Sequence, residues 1–141
     1  MTMQQSTDYG DVVGEVRGFL AERVAAALAA GIDRRRLVLD PGIGFGKTLE
    51  HNLALLAQLE ETAFDGFPIL AGISRKSMLG AITGRPVGER LAASIAAALI
   101  AARHGARILR VHDVAATRDA LSVWHAVEAA ASDSWSRPLP E

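Results

Sequence analysis

Apolar residues follow two different patterns along the chain, and the two patterns alternate. Four segments carry apolar residues at the spacing of an amphipathic helix: 11–30, 48–61, 88–104 and the stretch after Asp113. Three shorter runs are apolar throughout: 36–40, 68–73 and 106–111. Short runs without alternation are typical of parallel strands that are covered on both faces. The sequence therefore predicts three strand–loop–helix units behind one leading helix.

This alternation predicts an α/β fold with a parallel sheet, either doubly wound or part of a (β/α)₈ barrel. The pattern alone leaves both architectures open. In both of them, functional side chains collect at the carboxyl ends of the strands. The unusual polar residues of this chain lie at or just after the ends of the predicted strands: Asp40, Ser74, Arg75, Lys76, Arg110 and His112.

Composition narrows the class of protein. The 141 residues are 22% charged with a net charge of -1, which suits one globular domain or a piece of one and lacks the basic surface that nucleic acid or an anionic membrane needs. Cysteine is absent, and no apolar run reaches the ~18 residues of a membrane span. We expect a cytoplasmic protein, folded over 1–131, with a flexible tail at 132–141.

The glycine-rich segment after the first strand allows two interpretations. Its end, Gly46-Lys47-Thr48, matches the end of a phosphate-binding P-loop, but Pro41 stands where that motif has glycine and removes one backbone N–H. A small P-loop-like phosphate- or nucleotide-binding module is therefore the alternative hypothesis. Asp40 could accept two parallel hydrogen bonds from a ring ligand or could organise the loop through nearby N–H groups. Phe45 could line a pocket or fill the core.

The other two strand ends carry cations. Ser74 to Ser77 place two cations and two hydroxyls in one turn, which favours a bound anion or acceptor, and Lys76 is the stronger candidate because Arg75 is expected to face solvent. Arg110 and His112 are one residue apart on a strand, so their side chains share a face. They suit an anion or an aromatic ring, and Asp113 could orient the imidazole.

Three motifs, each closing a predicted strand, resemble dihydropteroate synthase: DPGIGFGK at 40–47, GISRKS at 72–77 and RVHDV at 110–114. The segments TMQQS and DVVGEV near the start look like the part of that family that follows its fifth strand. The resemblance covers residues 2 to about 130. It implies part of a (β/α)₈ barrel, with three parallel strands that correspond to the sixth to eighth units and with the first five missing. The chain is thus expected to be a C-terminal fragment.

The resemblance also implies a reaction. The family condenses p-aminobenzoate with 6-hydroxymethyl-7,8-dihydropterin diphosphate to give dihydropteroate and pyrophosphate in folate biosynthesis, and it is the sulfonamide target. By resemblance, Asp40 and Lys76 bind the pterin edge, while the catalytic pair Arg110 and His112 faces the diphosphate, with Arg110 also stacking on the ring. The remaining residues implied at the p-aminobenzoate end are Phe45, Gly72, Ser74 and Arg75.

Three further expectations follow from the resemblance. The complete enzyme uses Mg²⁺, and the magnesium ligands lie outside this chain. The fragment alone is not competent for the reaction. Relatives of this fold family pair through their last three helices, so a homo-oligomer is expected.

Overall fold

The computed structural model describes residues 11–135, with side chains described to residue 132. Five α-helices are present in this range: α1 (Val12–Ala29), α2 (Leu49–Ala57), α3 (Ser77–Thr83), α4 (Leu91–Arg103) and α5 (Val114–Trp135). Two strands, β1 (Ile69–Ala71) and β2 (Ala106–Leu109), lie between the helices. Single 3₁₀ turns occupy Arg34–Arg36, Leu59–Thr62 and Val87–Glu89. Among the helices between residues 11 and 135, none combines the length and the apolar character of a membrane span.

The sheet is parallel, as predicted, but its strands are fewer and shorter than predicted. β1 pairs with β2 in parallel, with Leu70 opposite Ile108. Of the strand predicted at 36–40, only Leu39 pairs, through an isolated parallel bridge to Ile69. The prediction of three full strands is therefore wrong for residues 11–135, which hold two strands and one bridging residue. The 3₁₀ turn Arg34–Arg36 takes up the start of the apolar run, and Pro41, which has no N–H to donate, follows its end.

The strand layer is buried on one face only. Ile69 and Ala71 of β1 are buried against the helices, together with Leu39. On the opposite face, Val38 is 43% exposed and Ile108 is 42% exposed. The described strands are therefore not covered on both faces, and the buried core packs against one side of an open parallel layer.

The helices begin and end close to the predicted positions, with differences in which side chains are buried. Phe19 and Leu28 belong to the apolar pattern that predicts a helix over 11–30, but they are 36% and 42% exposed, while Val13 is buried. Leu53 belongs to the apolar pattern of the predicted helix 48–61, but it is 41% exposed, while Leu55 is fully buried. In α1 the buried residues Val12, Val16, Leu20 and Val24 are four residues apart, so the buried stripe is narrower than the apolar pattern of the sequence.

Two helix ends also differ from the predictions. α4 begins at Leu91 rather than at residue 88, because a separate 3₁₀ turn occupies Val87–Glu89. α5 continues through Trp135, into the segment predicted as a flexible tail from residue 132. Residues 136–141 of that predicted tail lie outside the described residues.

Candidate functional site at the strand ends

Asp40 and Arg110 meet on the open face of the strand layer, just past the strand ends. The backbone N–H of Arg110 donates to the carbonyl of Ala71 at 3.0 Å, which aligns the end of β2 with the end of β1. Nη1 of Arg110 lies 3.5 Å from Oδ2 of Asp40, and the other carboxylate oxygen of Asp40 accepts a hydrogen bond from the N–H of Gly42 at 2.9 Å. Asp40 thus organises residues 41–47, the glycine loop, and also faces the neighbouring cation.

Gly72 leaves room for this arrangement. A Cβ atom at position 72 would lie 2.7 Å from Nη2 and 2.8 Å from Nε of Arg110. These distances are shorter than carbon–nitrogen van der Waals contact, so any side chain at this position would displace the guanidinium. The absence of a side chain at Gly72 is what lets Arg110 lie across the end of β1.

The glycine loop uses its own polar groups. The N–H of Gly44 donates to Oδ1 of Asn52 at 2.7 Å. Nζ of Lys47 donates to the carbonyls of Gly42 and Phe45 at 2.8 and 3.0 Å. Burial lowers the pKa of Lys47, the nearby charge of Lys76 lowers it further, and Asp40 opposes both effects. The ammonium of Lys47 therefore serves to hold the loop closed.

These contacts argue against the P-loop interpretation. A phosphate cradle needs free backbone N–H groups and a lysine that reaches the ligand. Here the N–H groups of Gly42 and Gly44 already have side-chain acceptors, and Lys47 is bonded to loop carbonyls. Oγ1 of Thr48 accepts from the N–H of His51 at 3.2 Å and so caps α2. The polar groups of the loop are therefore engaged in holding its own conformation.

Lys76 reaches the same loop from the next strand end. Its Nζ donates to the carbonyl of Ile43 and lies 4.3 Å from the centroid of the Phe45 ring. Burial lowers the pKa of Lys76, Asp40 raises it, and Arg110 lowers it. Phe45 is 49% exposed, so it does not fill the core. Its ring instead supports the ammonium group through a cation–π contact.

Ser74, rather than Asp113, holds His112. Oγ of Ser74 lies 2.8 Å from Nδ1 of His112 and accepts from the N–H of the same residue at 3.3 Å. The prediction that Asp113 orients the imidazole is wrong, because its carboxylate accepts from Nη2 of Arg75 at 3.0 and 3.2 Å. Arg75, expected to face solvent, is 44% exposed in that ion pair.

One pocket brings most of the predicted residues together. Its volume is about 280 Å³, and its lining consists of Gly72, Ser74, Lys76, Arg110, Val111 and His112. Asp40 and Phe45 border it through their contacts with Arg110 and Lys76. Arg75 lies outside its lining. Two cations, an imidazole and a hydroxyl on one side suit an anionic group or a ring with several hydrogen-bond acceptors.

A larger cavity, of about 520 Å³, lies at the opposite ends of the strands. It is lined in part by Gly66, Pro68 and Gly105, with Glu60 and Arg107 as its charged groups. Size alone would favour this cavity. We assign the site to the smaller pocket because the cations converge there, at the carboxyl ends of the strands where α/β folds bind ligands.

Residues 11–135 do not fit a magnesium site. Within this range no group of three or more histidine, aspartate or glutamate side chains could hold a metal ion. The two carboxylates near the pocket, Asp40 and Asp113, face the guanidinium groups of Arg110 and Arg75. Because both carboxylates are paired with arginines, neither is free to bind a metal ion in this arrangement.

Comparison with known proteins identifies the family. Residues 1–112 match the model of the pterin binding enzyme family. This chain belongs to that family. Among curated members, it is 52% identical over 125 residues to dihydropteroate synthase of Haemophilus influenzae, covering 89% of this chain and 46% of the relative. It is 53% identical over 130 residues to the enzyme of Neisseria meningitidis serogroup B, with the same coverage.

Solved structures of family members agree with the assignment. A Burkholderia cenocepacia dihydropteroate synthase complexed with 7,8-dihydropteroate is 58% identical, with a TM-score of 0.87 over 91% of this chain and 48% of that chain. A Xanthomonas albilineans dihydropteroate synthase with 4-aminobenzoic acid is 57% identical, with a TM-score of 0.84 over 86% of this chain and 45% of that chain. The predicted resemblance to dihydropteroate synthase is confirmed, and the chain spans just under half the length of these relatives.

Three residues that build the site were missed by sequence reasoning. Asn52 is buried in α2, four residues after the cap Thr48, and a polar residue at that spacing on an apolar helix was an available signal. Arg90 and Ser94 contact the backbone of Arg75 from the start of α4. Ser94 lies in an alanine-rich helix, and Arg90 follows a turn, so no local pattern distinguished either residue.

Proposed function

We propose that this chain forms the pterin-binding side of a dihydropteroate synthase and corresponds to the sixth to eighth strand units of its (β/α)₈ barrel. The observation that carries the proposal is the convergence of Lys76, Arg110 and His112 on one pocket at the strand ends. The likeness to a relative complexed with 7,8-dihydropteroate supports the same ligand class here. The open face of the strand layer, with Val38 and Ile108 exposed, is the barrel interior in this proposal.

Each charged group has a place in the proposed reaction. Asp40 and Lys76 hold the polar edge of the pterin, while Arg110 and His112 face the diphosphate. The residues proposed to border p-aminobenzoate are Phe45, Gly72, Ser74 and Arg75. Phe45 and Lys76 already form a contact that joins these two ends of the site.

The proposed chemistry is a displacement at the methylene carbon attached to the pterin. The amine nitrogen of p-aminobenzoate forms a bond to that carbon, the carbon–oxygen bond to diphosphate breaks, and its electron pair leaves with pyrophosphate. The nitrogen then gives up a proton to solvent. Negative charge grows on the leaving group, and cationic Arg110 with an imidazole donor at His112 stabilises it.

Assembly of a complete barrel tests this proposal. The 141-residue chain alone should show no synthase turnover, because its described residues provide only one side of the pocket. The same chain joined to the N-terminal half of the Burkholderia cenocepacia relative should make dihydropteroate, in a reaction that sulfonamides inhibit and Mg²⁺ supports. An inactive but folded barrel would overturn the proposal, and turnover by the chain alone would show that the pocket is complete without further strands.

A homo-oligomer that forms through the last three helices is part of the proposal. Apolar side chains of α4 and α5 are exposed in the isolated chain, with Leu91 at 47%, Val123 at 67% and Val127 at 60%. Sedimentation across a concentration series should show self-association. A monomer that melts cooperatively at every concentration would contradict it. A cytoplasmic location stays a prediction.

A further inference from the structure

Arg75 has a backbone conformation that few side-chain-bearing residues adopt. Its φ angle is +59°, in the left-handed region, where a Cβ atom is disfavoured. Such a conformation persists when surrounding contacts enforce it. Arg75 stands between Ser74, which holds His112, and Lys76, which lines the pocket.

Two side chains of another segment hold the peptide groups on either side of Arg75. The N–H of Arg75 donates to Oγ of Ser94 at 2.9 Å. The carbonyl of Arg75 accepts from Nη1 of Arg90 at 2.9 Å. Both the N–H and the carbonyl of Arg75 are therefore held, and the two residues that hold them lie outside the pocket lining.

The two clamping residues are themselves fixed. Ser94 is 5% exposed, and its hydroxyl donates to the carbonyl of Arg90 at 2.6 Å. Nε of Arg90 donates to the carbonyl of Arg85 at 3.0 Å, and its guanidinium lies against Gly80, in the space that a side chain there would occupy. The Ser94 hydroxyl and two nitrogen atoms of Arg90 thus have hydrogen-bond acceptors, and together these contacts support the turn.

We infer that Arg90 and Ser94 are positioning residues, which set the directions of Ser74 and Lys76 by holding Arg75 in its left-handed conformation. Without the clamp, Arg75 relaxes to negative φ, and the rotation moves Lys76 away from the carbonyl of Ile43 and Ser74 away from His112. This inference rests on the proposed function, because it assigns the clamp to the p-aminobenzoate and pterin pocket.

Kinetics of the complete barrel test the inference. Ser94→Ala and Arg90→Met should each raise KM for p-aminobenzoate about fivefold to tenfold, the size expected for one hydrogen bond, with little change in kcat. Arg90→Lys keeps a cationic donor group and should recover part of the lost p-aminobenzoate affinity. Arg85→Met is the matched control, since it removes a cation from the same segment whose ion pair with Glu89 is exposed.

A spectroscopic readout separates positioning from general destabilisation. The ¹⁵N shifts of the His112 ring in the 141-residue chain should change in Ser94→Ala and Arg90→Met and not in Arg85→Met, because only the first two release Ser74. Lower melting temperatures with unchanged KM and unchanged ring shifts would overturn the inference. If the parent barrel makes no dihydropteroate, the proposed function fails, and the ring shifts still decide whether the clamp acts.

Discussion

Lys47 and Lys76 are the only lysines among 15 basic residues, and both hold the glycine loop. Lys47 does so from within, through the carbonyls of Gly42 and Phe45, and it lies outside the candidate pocket. Lys76 does so from the next strand end, and it also lines the pocket beside Arg110 and His112. The two lysines have similar partners but differ in position, because only Lys76 stands where the ends of β1 and β2 meet the glycine loop.

Removing each lysine in turn is the strongest test of this contrast. In the complete barrel, Lys76→Ala should weaken pterin binding about tenfold to a hundredfold, the loss expected for a charged hydrogen bond. Lys47→Ala should cost much less pterin affinity. Calorimetric titration with a pterin measures both variants. Equal losses would show that the two lysines share one role, and tight ATP binding that disappears in Lys47→Ala would restore the P-loop interpretation.

Asn52 tests the structural role of the glycine loop separately from the pocket. Its buried side chain accepts the N–H of Gly44, so Asn52→Ala leaves that donor unpaired. We expect a loss of about 1–3 kcal/mol in the free energy of unfolding. Urea denaturation of the barrel measures this, and Leu53→Ala, at an exposed position of the same helix, is the control. A smaller effect than in the control would mean that the loop does not depend on Asn52.

A substitution at Gly72 tests the pocket without replacing a charged residue. Gly72→Ala places a methyl group where the guanidinium of Arg110 lies, so pyrophosphate binding to the barrel should weaken about tenfold, close to the loss of one charged contact. Gly88→Ala is the control, since a Cβ there meets nothing within 4 Å. If calorimetry shows the same pyrophosphate affinity in both variants, Arg110 does not bind the anion from its present position.

The smallest expected effect is on the pH dependence of stability. Burial lowers the folded-state pKa of both lysines from 10.5. Between the lowered value and 10.5 the unfolded chain binds more protons, so the free energy of unfolding rises with pH in that window. Urea midpoints should therefore increase as pH approaches 10.5, and this rise should be smaller in Lys47→Met/Lys76→Met. An equal rise in the double variant would assign it to other groups.

The sequence predicted which polar side chains lie together at the strand ends better than it predicted the length of the strands. Asp40, Lys76, Arg110 and His112 were located from a general rule, since parallel strands of an α/β fold end at one edge. The prediction of a strand at 36–40 was wrong. An apolar run indicates that its residues are buried, but it does not show how many of them form hydrogen bonds to a neighbouring strand. Only Leu39 of that run pairs.

Contacts between distant segments were beyond the reach of local patterns. Asp113 follows His112 directly, so it was the natural partner for the imidazole, whereas the fold brings Arg75 to it from 38 residues away. The partner that His112 does have, Ser74, is equally distant in the chain. Ser94 and Arg90 are connected to the pocket only through the backbone of Arg75, which no spacing of side chains reveals.

The position of Arg90 against Gly80 has a consequence for protein engineering. Glycine within a helix costs about 1 kcal/mol relative to alanine, so a thermostabilisation strategy would replace helical glycines. Gly18 of α1 is a safe target, because an added methyl group meets nothing within 4 Å. Gly80 of α3 is not, since the methyl group would occupy the space of the Arg90 guanidinium. Glycine to alanine would therefore strengthen α1 at position 18, whereas at position 80 it would displace Arg90 and loosen the support of the Arg75 turn.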